Sequence, residues 1–195
     1  MARELMIAIR STIVFWVLTA MLYPLLILVI GFAFPYQANG SLVTNEQGQA
    51  IGSALIGQTF TANQYFWSRP STCSYSEGEG EEAPKTGVGG ASNLAPSNPD
   101  LIKRIQEETM RLQQAGITPT PDLVYTSGSC LDPHISIEAA KTQIDRIASA
   151  RSLPVNQIET LIAQNSEGRF LGIFGEPGVN VLRLNLALDD LKSAS

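Results

Sequence analysis

The sequence predicts a single N-terminal transmembrane helix followed by one extracytoplasmic domain of the α+β (α/β) class. Three observations carry this prediction. Ser11–Phe34 is apolar and holds no charged residue. Arginines precede that stretch at Arg3 and Arg10, and no Lys or Arg follows it until Arg69. The rest of the chain then alternates helical and extended apolar patterns between turns marked by Gly and Pro. The expected organisation is a cytoplasmic N-terminus over 1–10, the span over 11–34 and the exported domain over 35–195.

The span is long enough. About 24 residues at 1.5 Å rise cover about 36 Å, against a hydrocarbon core of about 30 Å. A cleaved signal peptide has a shorter apolar core and ends in a small-x-small site; here the run ends in Phe34-Pro35-Tyr36. A soluble core helix would keep a polar face, which this stretch lacks. Pro24 is expected to kink the helix. The arginine asymmetry places the first ten residues inside and everything after Phe34 outside. Phe15-Trp16 and Tyr36 suit the two interfaces.

The chain has 195 residues and a formal net charge of −5. Without the anchor, about 160 residues remain, one domain able to bury about 70% of its unfolded surface. Its acidity argues against nucleic acid and anionic lipid headgroups as partners, leaving the bilayer itself and other proteins.

Along the domain, Pro35–Asn45 is turn-rich, and Asn39-Gly40-Ser41 is taken as a turn rather than a glycosylation site. Ile51–Phe60, apolar with two interior glycines, predicts a short or bulged strand. Tyr65-Phe66-Trp67 before Arg69-Pro70 is an aromatic core corner with Arg69 exposed, or an aromatic docking patch. Thr72–Pro99 is a long loop holding an acidic knot of Glu77, Glu79, Glu81 and Glu82. The knot is a solvated loop, or a device that concentrates a cation. Gly80…Lys85-Thr86 is no phosphate loop, since Pro84 stands where Gly is needed.

Asn98-Pro99-Asp100 opens a helix with Leu101, Ile105 and Leu112 on its apolar face and Gly116 at its end. Leu123–Thr126 is expected to be a strand. Ser136 caps a second helix striped by Ala140, Ile144, Ile147 and Ala148, and Pro154 starts a third with Ile158, Leu161 and Ile162 inward. The end is expected to be β: Phe170–Phe174, a Gly-Glu-Pro-Gly turn, then Val179–Leu188 with Leu182, Leu184, Leu186 and Leu188 on one face.

Catalytic patterning is thin. His134 is the one histidine, and no His/Cys grouping has metal-ligand spacing. Ser127, Ser129, Asp132 and His134 crowd together, but residues so near in sequence rarely reach triad geometry, and the nucleophile elbow is absent. Side chains bonding nearby amides in a turn describe the segment better. Cys73 and Cys130 form an even pair in oxidising space, which permits one bridge; two separate, partly buried thiols are the alternative.

Several motifs, in one order, resemble a known family. They are FPYQANGSL at Phe34–Leu42, GSALIGQTF at Gly52–Phe60 and YFWSRPS at Tyr65–Ser71. They continue with GGASNLAPSNP at Gly89–Pro99, SGSCLDPHIS at Ser127–Ser136 and EPGVNVLRLN at Glu176–Asn185. Together they resemble the C subunit of the bacterial high-affinity potassium-transporting P-type ATPase, the Kdp complex. Two departures stand out. Cys130 takes a place where that family usually has Gly, and Cys73 lies near a usual Ala. That both departures are cysteines is a motive for the bridge. If the Gly position needs φ > 0, Cys130 carries about 1–2 kcal/mol of strain.

The resemblance implies a non-catalytic accessory subunit of an ATP-driven pump. It would assemble with a pore-forming potassium-translocating subunit and an ATP-hydrolysing subunit. It would bind no cofactor alone, with ATP and K+ handled by the complex, and would act as a catalytic chaperone raising ATP affinity in the hydrolytic subunit. Topology argues against direct nucleotide contact and for a brace over the outer ion entrance. Gln58, Arg69, Asp132 and His134 are the candidate docking or stabilising residues. A membrane-anchored extracytoplasmic enzyme and an anchored solute-binding module are the competing classes.

Overall fold

A computed structural model of the protein describes residues 1–45, 47–77 and 87–193. The chain divides into two units, Met1–Leu42 and Val43–Ser195.

The first unit is one long helix with a short lead-out. The helix runs from Ala2 to Ala33, 32 residues, long and apolar enough to cross a membrane. It begins well before Ser11 and is made of α1 (Ala2–Val17), a π-helical turn (Leu18–Leu22) and α2 (Tyr23–Ala33). The π turn explains how Pro24 is tolerated. Proline has no N–H, and its ring crowds the carbonyl four residues back. Just before it the Tyr23 N–H reaches back to the Leu18 carbonyl, widening the turn. Apolar side chains stand exposed along the whole helix. After Phe34 a short α3 (Pro35–Ala38) gives way to the expected turn, with Gly40 at φ 83 and Ser41 at φ 50.

The second unit is a mixed α/β domain. β1 (Leu42–Thr44) and β2 (Ala50–Ser53) form a two-stranded sheet. The strand expected over Ile51–Phe60 therefore ends at Ser53. α4 (Pro99–Gln114) opens as its sequence predicts: the Asn98 side chain accepts from the Asp100 N–H at 2.8 Å. It closes at Gly116, whose φ of +72 suits only the left-handed cap. Leu112 is its buried anchor.

Leu123–Thr126 is not a strand. Pro121–Val124 forms a single helical turn, α5, with Pro121 pre-set for a first helical position after Thr120 and with Leu123 and Val124 both buried. The helix capped by Ser136 divides into α6 (Ile137–Lys141) and α7 (Ile144–Arg151), split at Thr142-Gln143. Ser136 Oγ accepts from the Ala139 N–H at 3.0 Å, as an N-cap should. α8 (Val155–Gln164) follows Pro154 and buries Ile158, Leu161 and Ile162.

A three-stranded antiparallel sheet has β5 (Gly178–Asn180) between β3 (His134–Ile135) and β4 (Ser166–Glu167). His134 stands opposite Asn180, and Glu167 opposite Gly178. Two expected strands fail here. Phe170–Phe174 is a tight turn, bridged only between Phe170 and Phe174. Val179–Leu188 is strand for two residues and then α9 (Val181–Ser193). Leucines at every second position suggested a strand. The buried set is Val181, Leu184, Asn185 and Leu188, the i, i+3, i+4, i+7 stripe of a helix, with Leu182 also covered.

Phe66 and Trp67 are buried, so the aromatic run is a core corner. Among the described residues this segment has no strand partner. Its backbone is paired instead by two buried side-chain amides. Asn185 accepts from the Phe66 N–H at 2.8 Å and donates to its carbonyl at 3.0 Å. Gln143 accepts from the Trp67 N–H at 2.8 Å and donates to its carbonyl at 3.2 Å. Asn185→Leu keeps the branched shape but orphans both Phe66 groups. At about 1–3 kcal/mol per unsatisfied buried group, it is expected to lower stability by about 2–6 kcal/mol in urea unfolding.

Candidate docking site

The site is built on the Ser127–His134 turn. Asp132 Oδ1 accepts from the His134 N–H at 3.0 Å, and Ser129 Oγ accepts from the Leu131 N–H at 3.2 Å. These are the local side-chain bonds that Ser and Asp favour in turns. Cys130, buried within the turn, has φ 57, a left-handed conformation that glycine adopts freely and other residues at a cost. Cys130 and Cys73 are joined in a disulfide with their Cα atoms 5.9 Å apart. Ser71 Oγ donates to the Cys130 carbonyl at 2.7 Å, fastening the same two segments.

Arg69 is not exposed as expected. Its Nη1 lies 2.8 Å from Asp132 Oδ2, with the side chain only 22% exposed. Its carbonyl accepts from the Tyr75 hydroxyl. Burial pushes Tyr75 up to about 12, so it remains a neutral donor. His134 lies on the other side of Asp132. Its Nδ1 is 3.5 Å from Asp132 Oδ1, and its Nε2 is 3.7 Å from Glu167 Oε2. Glu167 in turn meets Arg183 of α9 at 3.0 Å. The result is an alternating chain of ionisable groups: Arg69, Asp132, His134, Glu167, Arg183. Burial opposes ionisation of Asp132, but hydrogen bonds from His134 and the charge of Arg69 outweigh it and hold the carboxyl below its usual range. Asp132 raises His134, against partial burial, with Glu167 assisting and Arg183 opposing.

Of these, Arg69, Asp132, His134 and Glu167 floor a groove of about 620 Å³, walled by Tyr125, Phe170, Phe174 and Pro177. Beside it projects the turn 168–177. Phe170, Leu171, Ile173 and Phe174 are each 61–73% exposed. The turn is stiff at its root: β4 and β5 pair below it, and Arg169 meets Glu176 at 2.8 Å. Four large apolar side chains on one projecting turn form a patch of the kind that marks interaction surfaces.

Of the four candidate residues, Arg69, Asp132 and His134 come together here. Gln58 does not: its side chain donates to the Ile51 carbonyl at 2.8 Å, away from the groove. Glu167, Arg183 and the apolar turn were missed. The first two pair across long sequence separations that leave no local pattern, while the turn's clustered Phe, Leu and Ile passed for a strand. In the acidic loop, Glu77 accepts from the Thr59 N–H at 2.7 Å, while Glu79, Glu81 and Glu82 lie outside the described residues. Among the described residues no cluster of His, Cys, Asp and Glu could hold a metal ion.

Residues 5–190 match the family model described as K+-transporting ATPase, c chain. The chain belongs to the KdpC family. It is 62% identical to the potassium-transporting ATPase KdpC subunit of Synechocystis sp., over 97% of this chain and all of the relative. It is 60% identical to KdpC subunit 1 of a Nostoc species, over 98% of each chain. It is 49% identical to the KdpC subunit of Gloeobacter violaceus, over 97% of each. The chain is therefore an accessory subunit of a potassium pump, and partner subunits are implied.

The disulfide yields a prediction. Replacing both cysteines by serine is expected to remove up to about 4 kcal/mol of stability and abolish any effect of reductant in denaturant unfolding. The Cys73→Ser/Cys130→Gly pair should recover about 1 kcal/mol of that loss, because glycine relieves the positive φ.

Proposed function

We propose that this chain is a non-catalytic subunit that holds a high-affinity potassium-uptake complex together from the outer side of a bacterial plasma membrane. The helix Ala2–Ala33 crosses the bilayer once with its N-terminus cytoplasmic. The domain docks on the pore-forming and ATP-hydrolysing subunits. The observation that carries the reading is the projecting apolar turn beside an ion-paired groove. Aromatic and aliphatic anchors ringed by polar groups are the usual anatomy of a protein interface core.

On this reading, ATP and K+ are handled by the complex. Any rise in the ATP affinity of the hydrolytic subunit is transmitted through that subunit rather than by nucleotide contact, since the domain and ATP lie on opposite sides. The arginine asymmetry supports the orientation. A tag at Ser195 should be cleaved by external protease in spheroplasts; protection of the tag overturns the orientation.

Co-purification in mild detergent tests the docking. Phe170→Ser with Phe174→Ser removes two anchors worth about 1.5–3 kcal/mol each when buried. The double variant should lose at least about tenfold in affinity for the complex, while its disulfide and thermal unfolding stay intact. Undiminished co-purification places the interface elsewhere.

A further inference from the structure

We propose that His134 is a proton-dependent latch, tying the arm that carries the apolar turn to the Ser127–His134 segment when its imidazole is protonated. A neutral imidazole has one N–H and serves one carboxylate; the imidazolium has two and serves both. His134 faces two carboxylates from different parts of the fold, Asp132 on its own turn and Glu167 on β4. At 3.5 and 3.7 Å these are ion-pair separations, which respond to charge.

The surroundings complete the picture. Asp132 is also held by Arg69, and Glu167 by Arg183 of α9, so each carboxylate keeps a cationic partner whether or not His134 is charged. Asp122 and Glu176 line the same groove. Glu167 roots the arm: it pairs with Gly178, and residues 168–177 form the projecting turn between them. Charging His134 therefore adds a third tie at the base of that turn. His134 is 39% exposed, which leaves it open to protons from solvent.

The sign follows from linkage. Asp132 and Glu167 favour the charged imidazole in the folded protein, so the latch is present below the ordinary histidine pKa of about 6.5. It is lost as pH rises through the folded value. The effect on assembly rests on the docking reading; the latch itself does not.

His134 is the one histidine in the sequence, so the experiment is direct. The full chain, carrying a tag without histidine, is isotopically labelled at His in mild-detergent micelles, and the single ring signal is titrated by NMR. The midpoint should lie above about 6.5, move down in Asp132→Asn and in Glu167→Gln, and move up in Arg183→Gln. Hydrogen exchange of 167–178, corrected for intrinsic rates, should be at least about threefold slower with His134 protonated. That difference should vanish in His134→Gln and in Glu167→Gln. A midpoint at or below 6.5 that ignores Glu167→Gln, or exchange that does not follow the titration, overturns the latch. Because both readouts use the isolated chain, they stand apart from docking. Co-purification that weakens from about pH 6 to about pH 8 in the wild type, but not in His134→Gln, extends the latch to assembly. Unchanged co-purification beside a working latch counts against the docking surface instead.

Discussion

The domain depends on two buried amide side chains that stand in for β-strand neighbours. Residues 65–68 cross the core without joining a sheet, yet a buried backbone must find hydrogen-bond partners. Asn185 of α9 and Gln143 before α7 each present one donor and one acceptor to one residue of that segment. Their exposure is 2% and 0%, so water cannot substitute. The arrangement ties α9 and the start of α7 to the same segment. Trp67 is then clasped by two guanidinium groups, Arg111 at 4.3 Å and Arg146 at 4.4 Å from the ring centre. Burial, then the like charge of Arg111, brings Arg146 down to about 10. It is held regardless, because it also donates to the carbonyls of Asn63 and Tyr65 and to Gln143.

From this clasp the chain leads directly into the site. Arg69 follows Ser68, whose hydroxyl donates to the Gln58 carbonyl at 2.7 Å, and it reaches Asp132 from a backbone already immobilised. Ser71 and Cys73 then fasten the Ser127–His134 turn from the same side. α9 supplies Asn185 to the core and Arg183 to Glu167 beside the groove, so core and site share one helix. A cross-link at Cys130, in a backbone conformation unfavourable to any residue but glycine, offsets its local cost by constraining a separation of 57 residues.

The elements legible in the sequence were those with local punctuation. Asn98-Pro99-Asp100, Ser136 and Pro154 marked helix starts, and Gly116 marked an end, because caps act within a few residues. The C-terminal run was misread because Leu182, Leu184, Leu186 and Leu188 fit period 2, while Val181, Leu184, Asn185 and Leu188 fit a helix. Only tertiary burial of a polar residue, Asn185, distinguishes the two. In the site, Asp132 and His134 were legible because an Asx turn is local. Their partners Arg69 and Glu167 were not linked to them in advance, since these ion pairs join residues that only the fold brings together. The apolar turn ran against the usual rule that clustered Phe, Leu and Ile go inside, and surfaces that break the rule are where partners bind.

A turn of four apolar residues is small beside the surface of about 1,200 Å² or more that stable complexes bury. The membrane anchor resolves that shortfall. Once the span lies beside its partners, docking of the domain is intramolecular, at an effective concentration in the millimolar range for a short connection. A modest surface then suffices on the proposed docking, and where its occupancy is near the middle of its range it stays responsive. In that regime a small change in the stiffness of the arm alters the docked fraction, whereas a tight interface would absorb it. A weak, tethered contact is thus the setting in which one proton on His134 can matter to the pump.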